Sequence, residues 1–126
     1  MNTIKNNTII LGTEAFDSYC AAYCYVKKLI RAQEPGEFFD DDEEMILRDV
    51  VKHDPGYTRH GQPPIIGFTV GYQKNGGDQQ WKMLVVIAIH DPKGGKASSY
   101  GLSVDKCFTV MANVPMRVIS HWKANM

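Results

Sequence analysis

The chain has 126 residues, 44% of them hydrophobic and 22% charged, and its fourteen Lys and Arg offset fourteen Asp and Glu. A single domain of that length buries roughly two-thirds of its surface and needs no disulfide or metal staple. Neutral net charge excludes a protein held to nucleic acid by bulk charge alone, and no apolar run approaches the ~20 residues of a bilayer-spanning helix.

In chain order, Thr8–Leu11 reads as a short strand and Thr13 as the cap of a helix over 14–33. Phe16, Tyr19, Ala22, Tyr23, Val26, Leu29 and Ile30 recur at three- and four-residue steps and form one apolar stripe. Lys27, Lys28 and Arg31 fall in its last turns, where the helix dipole favours cations. Glu34-Pro35-Gly36 ends it. Phe38 and Phe39 form an apolar plug before a second helix, capped by Asp40 or Asp41 and running to about Lys52. His53-Asp54-Pro55-Gly56 stops that helix, since the residue before a proline is biased out of the α region.

The period then changes. Ile65–Tyr72 alternates and predicts a strand, Asn75–Asp78 a turn, and 80–89 a partner strand whose apolar run Met83–Ile89 suits a central position. A second turn at 91–96 leads to a strand over 98–102. Ser103 then caps a helix over 104–112, because Val104, Cys107, Phe108 and Met111 fall at helical spacing; a strand is the competing reading. A helical turn or two follows Pro115 and carries Val118, Ile119 and Trp122 inward. The expected fold is a single α+β domain over 1–126: two N-terminal helices packed on a small, mainly antiparallel three-stranded sheet, with a short C-terminal helix.

The order of these pieces resembles the DCL-like family, named for the plant phenotype "defective chloroplasts and leaves". The resemblance runs from Leu11 to about Cys107. It is carried by the aromatic helix after Gly12, the acidic entry and helix Asp42–Lys52 with its His53-Asp54-Pro55 corner, the lead from Gly61 into the strand, and Leu102-Ser103-Val104-Asp105-Lys106-Cys107. The family's uninterrupted His-Pro corner is broken here by Asp54. The resemblance implies RNA metabolism: plant relatives are associated with plastid ribosomal RNA processing, and a similar domain ends the largest subunit of a plant-specific RNA polymerase. It supplies no catalytic residues.

Cys20 and Cys24 lie on one side of the first helix. With Cys107 and His53, His60, His90 or His121 they reach the ligand count of a zinc site, but at no standard spacing, and apolar packing is the simpler reading. An odd number of cysteines after a polar start points to free thiols and a cytoplasmic setting. Asp40–Glu44 lacks the alternating ligands and glycine of a calcium loop. Gly76-Gly77 and Gly94-Gly95 are turns, not phosphate loops. No metal, cofactor or catalytic group is expected, and a membrane partner is not.

Charge is unevenly placed. Residues 34–49 hold eight acids against one base, leaving thirteen bases and six acids elsewhere. Basic residues with aromatics between them, Lys52, Tyr57, Arg59, His60, Lys74, Trp81, Lys82 and Lys106, are candidates for nucleic-acid contact, since cations track phosphates and aromatic faces stack unpaired bases. The expected function is a non-catalytic module for RNA or another single-stranded nucleic acid, linked to RNA processing or transcription. The alternative is a small interaction domain, of phage or mobile-element type, that docks on a host protein through its acidic segment 34–49.

Overall fold

A computed structural model describes residues 8–59, 61–74, 80–91, 96–124 and 126. The chain opens with a hairpin, not with a helix at residue 14. Strands β1 (Ile9–Leu11) and β2 (Glu14–Phe16) pair antiparallel, and Gly12 turns between them at φ +60°. Pairing takes Glu14–Phe16 out of the helical stripe, so α1 (Tyr19–Ala32) starts later. Its cap is Ser18, not Thr13: the Ser18 hydroxyl accepts the Ala21 N–H at 3.1 Å.

Gly12 also touches the second helix, α2 (Asp41–Val51). Its N–H donates to Asp49 Oδ2 at 2.6 Å, and a Cβ placed on it would lie 3.0 Å from the Ile46 backbone nitrogen. Gly12→Ala therefore meets both a left-handed backbone and a crowded helix. It should lower the denaturation midpoint by an amount equivalent to about 1–3 kcal/mol; an unchanged midpoint would contradict this packing.

Asp40 begins α2 with a reciprocal cap. Its carboxylate accepts the Glu43 N–H at 2.8 Å, and the Glu43 side chain accepts the Asp40 N–H at 3.3 Å. Between α1 and α2 the chain runs along the sheet. The N–H groups of Gly36 and Phe39 donate to the carbonyls of Val70 and Phe68, and the Thr69 hydroxyl donates to Glu37 O at 2.7 Å. This covers an otherwise open strand edge. Phe39 is buried there, whereas Phe38 lies exposed over Gly67.

The stretch expected to be only a helix stop contains α3 (Pro55–Arg59). Asp54 starts it by accepting the Tyr57 N–H at 3.0 Å, and Pro55 takes the first helical position. Strands β3 (Ile65–Lys74), β4 (Gln80–Asp91) and β5 (Lys96–Leu102) form an antiparallel sheet with β4 in the centre. Phe68 faces Val86 and Tyr100 across the strands, and Val70 faces Leu84 and Leu102, so one face of the sheet carries the apolar core. That core meets Tyr23, Val26 and Ile30 of α1 and Leu47 and Val50 of α2.

Helices α4 (Val104–Ala112) and α5 (Met116–Ala124) close the domain. Cys107 and Phe108 of α4 and Ile119 of α5 are buried, and the Tyr23 ring meets Phe108 edge-on at 5.3 Å and Trp122 at 5.8 Å. The protein is thus α+β; the pairing of β1 with β2 and the short α3 add to the expected layout, and the helical turn or two expected after Pro115 is the longer α5. No helix among the described residues is long and apolar enough to cross a membrane.

Ser103 caps α4, its hydroxyl accepting the Lys106 N–H at 3.3 Å, and Asn113 ends the helix in the left-handed conformation. Ser103→Ala should cost about 0.5–2 kcal/mol in denaturant titration. Ser103→Asp should cost less, because aspartate also caps and its charge suits the helix start. Aspartate proving the more damaging change would contradict the cap.

Candidate functional site

Four elements bring cations to one cleft. Lys27 and Arg31 are four residues apart on α1 and so share a face. Lys82 lies near the start of β4, Lys106 in the first turn of α4, and Lys123 near the end of α5. Together they line two adjoining hollows of about 340 and 400 Å³, with Asp105 as the carboxylate among them. Five bases against one acid leave the cleft strongly positive, in a chain whose net charge is zero.

Asp105 organises the floor. It accepts the Tyr23 hydroxyl at 2.7 Å and Lys123 Nζ at 2.9 Å, and Lys27 Nζ lies 3.7 Å away. Burial pushes its carboxyl up, but the hydrogen bonds from Lys123 and Tyr23 and the charge of Lys27 outweigh this and hold it below its ordinary value. Lys27 moves down: burial disfavours its ammonium, and Lys123 and Arg31 add repulsion that Asp105 only partly offsets. The pair therefore favours the carboxylate more than the ammonium. Burial and the Asp105 bond push the Tyr23 hydroxyl well up, so it stays a proton donor.

Three of the five cations have structural work. Lys27 and Lys123 serve Asp105, while Lys82 Nζ donates to Arg31 O at 2.8 Å and Gln33 O at 3.0 Å, satisfying carbonyls at the end of α1. Arg31 and Lys106 are exposed, and their side chains form no salt bridge with the described residues.

Of the sequence candidates, Lys82 and Lys106 meet in this cleft. Lys52 sits past the end of α2, exposed and 3.0 Å from Asp49 Oδ1. Tyr57 lines a separate hollow beside β5, and Arg59 is exposed at the end of α3. His60 lies outside the described residues, as do the side chains of Lys74 and Trp81. Lys27 and Arg31 were legible only as cations in the last turns of the first helix, and Lys123 stood out in no way; their convergence depends on α5 packing against α1, which spacing within either helix does not encode.

Two of the three thiols offer little nucleophilic chemistry. Burial, with Asp54 nearby, pushes Cys107 up to about 12, and burial beside Cys24 raises Cys20. A thiol raised in this way is a poor source of thiolate. Among the described residues no three His, Cys, Asp or Glu side chains gather as a metal site. The opposite charge collects at the start of α2, where Asp41, Asp42, Glu43 and Glu44 stand beside the exposed Phe38 and Met45.

No family model and no curated protein matches the chain. Among solved structures, it is similar to the solution NMR structure of an uncharacterized protein from Rhodospirillum rubrum. The TM-score is 0.60 at 19% identity, covering 83% of this chain and 91% of that one. At that identity the likeness speaks for the fold alone.

Proposed function

We propose that this domain is a non-catalytic module that binds single-stranded RNA through the cleft between α1, β4, α4 and α5. The observation that carries the reading is the gathering of Lys27, Arg31, Lys82, Lys106 and Lys123 around one concave surface. Such a surface attracts a phosphate chain and releases its counterions, so a neutral protein gains a local basic footprint. The resemblance to the DCL-like family favours RNA as the nucleic acid. The raised thiols favour binding over nucleophilic chemistry.

Affinity for single-stranded RNA, duplex RNA and DNA, each measured between about 50 and 200 mM salt, tests this. Single-stranded RNA should bind best, with a log–log slope of about −0.7 for each phosphate contacted, hence about −2 to −3 for three or four contacts. Absence of RNA binding at low salt would overturn the reading. It would turn attention to the acidic start of α2, where Phe38 and Met45, 58% and 45% exposed, favour a basic protein partner.

A further inference from the structure

We propose that the hollow between α3 and the edge strand β5 is a nucleobase pocket that prefers guanine. It measures about 410 Å³, and Tyr57, Pro63, Tyr100 and Asp54 are among the residues that line it. That volume lies in the range of small-molecule sites, which pair apolar walls with a few placed polar groups. Two phenol rings and a proline suit a flat ring that has left its stack.

Asp54 sets the polarity of the ligand. One carboxylate oxygen, Oδ2, accepts the Tyr57 N–H; the other, Oδ1, has no hydrogen-bond donor among the described residues. Gly56 keeps the approach open, since a Cβ there would stand 3.3 Å from Asp54 Oδ2. An ionised carboxylate only accepts, so its partner must present N–H donors. Guanine carries two adjacent donors, N1–H and the N2 amino group, on its pairing edge. Cytosine and adenine carry an amino donor beside an acceptor, and uracil one donor between two carbonyls. Guanine is therefore the base that matches a carboxylate with both oxygens, the open Oδ1 and the lone pair that the Tyr57 N–H leaves on Oδ2.

The pocket adjoins the cationic cleft along the chain. Ser98–Gly101 line the first, and Leu102–Lys106 line the second. A strand whose phosphates lie in the cleft can thus deliver one unstacked base to Tyr57 and Tyr100. This last step rests on the RNA reading above; the pocket's own preference does not.

Titration of the isotope-labelled full chain with guanosine, cytidine, adenosine and uridine, none carrying phosphate, tests the pocket by amide shifts. Guanosine should move the signals of Tyr57, Ser98, Ser99 and Gly101 at the lowest concentration and uridine at the highest. Asp54→Asn keeps a capping side chain for α3 and should weaken guanosine about tenfold, the scale of one paired base contact, erasing the preference. Tyr57→Ala should weaken all four nucleosides. No shift at these residues with any nucleoside, or a guanosine preference that survives Asp54→Asn, would overturn the proposal. RNA binding with no nucleoside response also overturns it and leaves the cleft standing. A guanosine response without RNA binding supports the pocket and removes the RNA reading.

Discussion

Replacing Asp105 with alanine should cost about 2–4 kcal/mol of folding stability, somewhat below the value for a fully buried pair because the carboxylate keeps 19% of its side-chain surface. The loss is not one contact. Tyr23, which is fully buried, loses the acceptor of its hydroxyl; Lys27 stays largely buried beside Lys123 and Arg31 with its counter-charge gone. Asp105→Asn should cost about half as much, since the amide still accepts from Tyr23 but no longer neutralises the ammonium groups. The same site gives stability a pH dependence of known sign. The folded carboxyl titrates below its ordinary value near 4, so its contribution is complete above that value and lost as pH falls through the lower, folded one. The acid loss should be smaller in Asp105→Asn. Equal denaturation midpoints for wild type and Asp105→Ala at neutral pH would contradict the network.

Reversing Arg31 and Lys106 together, as Arg31→Glu with Lys106→Glu, should weaken single-stranded RNA binding by about a hundredfold or more at low salt. Each change removes a phosphate contact and adds a repulsion, and the salt slope should become shallower by about 1.4. These two are the cations of the cleft whose side chains make neither a salt bridge nor a hydrogen bond with the described residues, so the fold should hold. Lys82→Glu is a poorer probe, because Lys82 holds the carbonyls at the end of α1 and its loss should unfasten that helix from β4. Arg59→Glu, on α3 and away from the cleft, should leave affinity and slope nearly unchanged. A larger effect from Arg59→Glu than from the double variant would move the interface to the segment after α2.

Much of this fold was legible because local signals agreed with the tertiary answer. The apolar run Met83–Ile89 predicts a central strand, and β4 is one. Ser103 before helically spaced Val104, Cys107, Phe108 and Met111 predicts α4 with its cap. Failures came where a local signal had two outlets. Thr13 resembles a cap as well as Ser18 does, and only the pairing of β2 with β1 decides between them. Asp54-Pro55 reads as a stop for one helix, yet the same pair starts the next. The site was less legible than the fold. Lys82 and Lys106 stood out as bases near aromatics, whereas Lys27 and Arg31 looked like dipole partners of their own helix, Asp105 was only one letter of the Leu102–Cys107 motif, and Lys123 carried no local signal. Long-range packing makes them one surface.

Amide chemical-shift mapping of the labelled protein with a short single-stranded RNA tests the central claim most directly, since it reports where the strand lies. Shifts should gather on the last turns of α1, the start of β4 around Lys82, the first turn of α4 and the end of α5. Shifts confined to the acidic start of α2, or none in the cleft when the RNA is bound, would contradict it.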